Sequence, residues 1–169
     1  MQLARTAAPR WRFIGHLQRN KARRAVAVFD AVDGLDSSEL AGQLNELAGR
    51  TGRTLPVLLE VNITRDPARA GFLPEELVAA AGAVIGLPHL SVEGLMAIGP
   101  HTDDAAAQRA AFAALRTLRN EVAARYPGQP WLSLSMGMSD DFERDRKRAR
   151  RRFASGARCS ARRDRPEWT

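Results

Sequence analysis

Five short apolar runs, each separated from the next by a stretch with helical spacing, constrain this chain more than any other feature. The runs are Trp11–Gly15, Val26–Val32, Leu55–Ile63, Leu90–Ile98 and Trp131–Leu134, the last closed by Ser135. Gln18–Arg24 reads as a polar helical turn. The capping box Asp36-Ser-Ser-Glu39 announces a helix in which Leu40, Leu44 and Leu47 recur at helical spacing, before Gly49 or Gly52 stops it. Pro74 opens another helix, with Leu77, Ala81, Val84 and Ile85 on one face and Gly86 and Pro88 at its end. A long helix starts near Thr102 or Asp103, carries Phe112, Leu115, Leu118 and Val122 on one side, and breaks at Pro127-Gly128. Pro56 belongs at the beginning of its strand, because it cannot donate to a ladder.

Strands alternating with helices in this way predict a parallel α/β sheet of about five strands. Right-handed crossovers leave either an open doubly wound sheet or a closed barrel, and periodicity does not separate them. In both, ligand chemistry gathers at the carboxyl ends of the strands. That rule places Gly15-His16, Asn62, Ala97-Ile98 and Ser135–Ser139 on one rim. Each residue also has a structural reading: His16 can cap a strand end, Asn62 can order its loop, and Met96 reads as core.

The fifth strand leads into Leu132-Ser-Leu-Ser-Met-Gly-Met-Ser-Asp-Asp-Phe-Glu143. Ser135, Gly137 and Ser139 make a tight turn of small residues, and Asp140, Asp141 and Glu143 occupy the first turn of a further helix. A strand, a small-residue turn and a helix amino end bring free backbone N–H groups and hydroxyls together, a combination that suits a phosphate. Ser139 as a plain N-cap accounts for the same residues.

Composition bounds the rest. The 169 residues, 44% hydrophobic, suit one globular domain. No apolar run approaches the roughly 20 residues that span a bilayer, and Met1–Trp11 lacks a signal-peptide core, so a cytoplasmic protein is expected. One cysteine, Cys159, and three dispersed histidines, His16, His89 and His101, offer no disulfide and no metal-ligand spacing. The net charge of +7 comes from the end of the chain. Residues 1–143 hold 15 Lys+Arg against 16 Asp+Glu, and residues 144–169 hold 11 against 3. Such a tail can act as a nucleic-acid arm, but it has few aromatic residues for base stacking and no reading motif, so non-specific contact with polyanions is what it supports.

Four stretches together resemble the pyridoxal-phosphate homeostasis protein family, whose barrel is similar to the alanine racemase N-terminal domain. They are Trp11-Arg-Phe-Ile-Gly-His-Leu-Gln-Arg-Asn-Lys21, Leu58-Leu-Glu-Val-Asn-Ile63 followed by Gly71-Phe72, Val92-Glu-Gly-Leu-Met-Ala-Ile98, and Leu134-Ser-Met-Gly-Met-Ser-Asp-Asp-Phe-Glu143. They occur in family order with family spacing. The resemblance implies a partial (β/α)₈ TIM-type barrel over residues 11–143, between an irregular segment 1–10 and a basic tail 144–169 that is disordered or non-native. It implies pyridoxal 5′-phosphate (PLP) at the carboxyl rim and a role in buffering or delivering that cofactor, without established turnover. The residues it marks for the cofactor are His16, Asn62, Met96, Ser135, Met136, Gly137 and Ser139, with Ser135, Gly137 and Ser139 on the phosphate side. No catalytic or metal-binding residue is expected. Arg69 stands where the family usually has a lysine before Gly-Phe.

Two departures qualify the resemblance. The family's first strand carries the lysine that forms a Schiff base with the cofactor, and nothing before Trp11 resembles it. The two lysines of the chain are Lys21, which matches the His-Leu-Gln-x-Asn-Lys motif, and Lys147 in the tail. Weak, non-covalent binding is therefore expected, and an amino-acid racemase relative is disfavoured because that lysine is both anchor and base in alanine racemase. The second departure is the tail. Back-translated and read one nucleotide out of frame, Ala149–Ala161 can spell Gly-Ala-Thr-Ala-Val-Arg-Ile-Gly-Ser-Ala-Leu-Phe-Gly, the family's last strand, over thirteen consecutive residues. The expectation is a truncated barrel with a frame-shifted tail and open sheet edges, either monomeric or self-associating through those edges.

Overall fold

The computed structural model describes residues 10–136. The segment before Arg10, residues 137–143, where the sequence predicts a turn and a helix start, and the tail 144–169 lie outside the described residues. The first strand, β1 (Arg12–Phe13), is followed by a 3₁₀ turn (Arg19–Lys21) running into α1 (Ala22–Val28). Then come β2 (Ala31–Leu35), α2 (Ser38–Arg50), β3 (Leu55–Glu60), α3 (Leu77–Ile85), β4 (Leu90–Ala97), α4 (Ala105–Arg125) and β5 (Ser133–Met136).

All neighbouring strands are parallel, and their spatial order is their chain order, β1-β2-β3-β4-β5. A doubly wound sheet needs a point where the strand order reverses, and there is none among the described strands. Sequential order keeps every helix on one face and curls the sheet into a half-barrel, the geometry of a partial (β/α)₈ fold.

The two sheet faces differ in chemistry. Val57, Leu59, Leu95, Ala97, Leu134 and Met136 join one apolar core with Leu44 of α2, Leu77 and Val84 of α3, and Phe112, Leu115 and Val122 of α4. Alternation along the strands sends Leu58, Glu60, Gly94, Met96, Ser133 and Ser135 to the other, concave face. One bulge sits between Val57 and Leu58 on the β3–β4 pair, where the β4 partner jumps from Val92 to Gly94. Gly94 is needed there, because any side chain would meet the Ser133 carbonyl.

Several boundaries differ from the sequence reading. The run Val26–Val32 is split: α1 continues through Val28 and the strand begins at Ala31. Ala25 and Val26 pack on the helical core, and Phe29 N–H closes the helix on the Ala25 carbonyl at 2.9 Å. The end is then capped from a distance, as the Arg53 guanidinium donates to the carbonyls of Val26, Phe29 and Asp30 at 3.0–3.2 Å. A cap supplied from beyond α2 leaves no local signal. The capping box also shifts by one residue. Ser37, not Asp36, is the N-cap, accepting from Leu40 N–H at 3.4 Å, because Asp36 is engaged at the rim. Pro74 lies in a turn and α3 begins at Leu77. The long helix begins at Ala105, capped by Asp104, which accepts from Ala106 N–H at 2.7 Å. Finally, β3 stops at Glu60 instead of Ile63, because Phe72 folds back and bonds on both sides of Val61.

Candidate functional site

The carboxyl ends of the strands gather Gly15-His16, Asp36, Glu60–Asn62, Ile98 and Met136 on one rim. The first contact there depends on two glycines. Gly15 has φ +107°, and its carbonyl lies so close to Gly34 that a Cβ at Gly34 would collide with it. This approach brings His16 to the end of β2, with Nδ1 2.7 Å from Asp36 Oδ2. The ring is 63% exposed, whereas the Asp36 carboxyl is 5% exposed. Asp36 Oδ1 accepts from Ser37 Oγ at 3.0 Å, so the acid is fixed from both sides.

Glu60 ends β3 on the concave face and is 6% exposed. Its Oε2 is buried and has no hydrogen-bond partner among the described residues. The space beside that oxygen exists because residue 34 is glycine, since a Cβ there would stand 3.2 Å from it. Burial pushes the Glu60 carboxyl up to about 7; nearby Asp36 adds to the rise and His16 offsets part of it. The register aligns Glu60 with Met96, and Met96 with Ser135. Glu60, Met96 and Ser135 thus form one row across β3, β4 and β5, with all three side chains buried. One layer toward the amino ends, Arg12 Nε donates to Asp33 at 2.8 and 3.0 Å and Nη1 to Glu93 at 3.1 Å. That ion trio ties β1, β2 and β4 together below the row.

Asn62 has a different role. Its Nδ2 donates to the carbonyls of Asp66 and Arg69 at 2.8 and 3.2 Å, and its Oδ1 accepts from Asp66 N–H and Thr64 Oγ1 at 3.2 and 3.3 Å. Both amide hydrogens and the oxygen are therefore committed to the loop after β3. Gly71, at φ +115°, closes that loop against the strand end, where a Cβ would stand 2.8 Å from Asn62 N. Arg69 fastens the loop to the end of β4 by donating to the Ile98 and Gly99 carbonyls at 3.3 and 3.0 Å.

These elements enclose a cleft of about 300 Å³ lined by His16, Glu60–Asn62, Arg69, Ala70 and Ile98. A wider cleft of about 520 Å³ lies against the amino ends of α2 and α3. Its walls carry Asp36, Glu39 and Glu76 and no basic residue, so it offers an anion little.

Of the residues marked from sequence, the structure brings His16 and Asn62 to the cleft and places Met96 and Ser135 on the concave row. The Met136 side chain packs into the helical core, which leaves its backbone facing the rim. Gly137 and Ser139 lie outside the described residues. Glu60 and the His16–Asp36 pair were not singled out from sequence. The available signal was one carboxylate in the otherwise apolar strand Leu-Pro-Val-Leu-Leu-Glu.

Fold and site define a class: parallel half-barrels whose helices cover one face and whose polar rim opens at the strand carboxyl ends. Within that class, residues 2–152 match the family model for the alanine racemase N-terminal domain, and the chain belongs to that family. It is 40% identical over 132 residues to the pyridoxal phosphate homeostasis protein of Haemophilus influenzae, covering 78% of this chain and 56% of that protein. The chain thus spans about half the length of the curated relatives it matches. PipY of Synechococcus elongatus, solved without PLP, is 35% identical with a TM-score of 0.82 over 90% of this chain and 71% of its own. The same protein solved with PLP bound is 33% identical with a TM-score of 0.78, over 89% and 69%. No helix among the described residues is long and apolar enough to cross a membrane.

Proposed function

We propose that this chain binds PLP non-covalently at the carboxyl rim of its half-barrel and serves cytoplasmic PLP homeostasis, holding or passing on the cofactor and not turning over a substrate. The observation that carries this reading is the rim cleft, on a chain that aligns along most of its length with a relative solved with PLP bound. The residues present fit such a group. The cleft is at the small end of the range for ligand pockets. It contains a buried acceptor with no partner among the described residues, Glu60 Oε2, and a ligand donor would satisfy it.

His16, Glu60 and Ser135 would hold the cofactor, and Met96 would pack against it. Asn62 and Arg69 act by keeping the loop wall in place, and Met136, Gly137 and Ser139 would complete the phosphate side. PLP when bound supplies an electrophilic aldehyde. Among the described residues the one lysine, Lys21, sits in the 3₁₀ turn before α1 and does not line the cleft, which favours non-covalent binding.

Titrating the full chain with PLP, followed by absorbance and equilibrium dialysis, tests this. The expected result is saturable binding that dialysis reverses, with no mass increase after borohydride treatment. Absence of binding would remove the reading, and a borohydride-trapped adduct on Lys21 would overturn its non-covalent form.

A further inference from the structure

The orphaned carboxylate oxygen at the centre of the rim implies more about the ligand than its size. Glu60 lies between Gly34, which gives it room, and Met96, which gives it no donor. Nδ1 of His16 is directed at Asp36, 2.7 Å away, and not at Glu60. The guanidinium of Arg69 is spent on the Ile98 and Gly99 carbonyls, and that of Arg12 on Asp33 and Glu93. Among the described residues the guanidiniums of Arg12 and Arg69 thus have other partners, and Glu60 Oε2 remains a buried acceptor without one. A buried polar group without a partner is costly, and a bound donor that is also positively charged relieves the cost twice, by hydrogen bond and by charge.

We propose that Glu60 is the residue that receives a cationic N–H group of the ligand, so that the rim selects phosphorylated pyridines by the positive charge they carry. The inference rests on the PLP-binding reading above and deepens it. Two sources of that charge share this chemistry: the protonated ring nitrogen, present in every such compound, and a primary ammonium on the ring's side chain. Glu60 is a positioning and specificity residue in this account, since the bond it makes changes which compound is held and not what reacts.

The test measures dissociation constants of three probes for the full chain: PLP, pyridoxine 5′-phosphate and pyridoxamine 5′-phosphate. Only the last adds an ammonium. The same titrations are run on Glu60→Gln, which keeps shape and removes charge, and on Glu60→Met, an apolar side chain of similar length suited to a buried site. Urea midpoints report whether each variant is folded. Loss of a charged hydrogen bond weakens binding by about tenfold to a hundredfold. If both variants lose that factor for all three probes, Glu60 holds the ring nitrogen; if only for pyridoxamine 5′-phosphate, it holds the ammonium. Either result supports the proposal. Equal affinities of parent and folded variants for every probe overturn it while leaving PLP binding intact. Failure of the parent chain to bind any probe overturns both readings together.

Discussion

Glu60→Gln should make the stability of the protein less dependent on pH, and the size of the effect follows from the environment of this one carboxyl. Burial, reinforced by Asp36 and offset by His16, raises Glu60 from an ordinary 4.5 to about 7 in the folded chain. Below pH 4.5 the group is protonated in both folded and unfolded chains, and its contribution is constant. Between 4.5 and 7 the folded chain keeps a proton that the unfolded chain releases, so stability falls as pH rises. The loss is complete above pH 7 and amounts to about 3 kcal/mol at most. Glutamine carries no such proton. Urea unfolding of parent and variant between pH 4 and 8 isolates the effect of Glu60 and its coupling to Asp36 and His16, because titrating groups that do not interact with it cancel in the difference. The stability of Glu60→Gln relative to the parent should climb by about 2–3 kcal/mol across that range, most steeply between pH 5 and 7. A difference that stays flat, or that climbs toward acid, would refute the assignment of a protonated, buried Glu60.

Other substitutions probe the frame of the site. Arg53→Ala strips the cap from α1 and removes this donor from three carbonyls; it should cost about 1–3 kcal/mol in urea unfolding. Lysine at the same position should recover little of that, because one ammonium cannot reproduce the guanidinium fork. Gly34→Ala places a Cβ against the Gly15 carbonyl and should cost about 1–3 kcal/mol while shifting the His16 ring resonances. Asn62→Ala removes the centre of the loop after β3, and limited proteolysis should then cut between residues 63 and 71 faster than in the parent. Arg12→Met leaves Asp33 and Glu93 without their shared cation in the concave interior, and should destabilise by about 3–5 kcal/mol at neutral pH.

The fold was legible in the sequence wherever the signal was local. The three long helices announce themselves by apolar spacing and breakers, and four of the five strands by short apolar runs near their observed places. Where two local readings competed, the sequence misled. Ala25 to Phe29 is apolar at both helical and strand periods, and the deciding contact comes from Arg53, on the far side of α2. Asp36 has the chemistry of an N-cap, yet His16, twenty residues away, draws it to the rim and leaves the cap to Ser37. Barrel against open sheet was undecided by pattern because both use the same alternation; only the strand order, without a reversal, separates them.

The site divides in the same way. The rule that ligands gather at strand carboxyl ends located the rim from sequence, and the family-like motifs named His16 and Ser135 on it. The rule could not tell a residue that faces a ligand from one that braces a loop, and Asn62 proves to be saturated by its own loop. Nor could it find Glu60. The row Glu60–Met96–Ser135 exists only once the register of three strands is set, including a bulge that no single strand reveals.

Whether PLP is held on the rim by side chains of the concave face can be read from the backbone amide resonances of the labelled chain as PLP is added. The largest shifts should fall on His16, Glu60, Asn62, Arg69, Ile98 and Ser135, and they should saturate together. Shifts confined to the α2–α3 cleft around Glu39 and Glu76, or scattered over the outer helical surface, would contradict it.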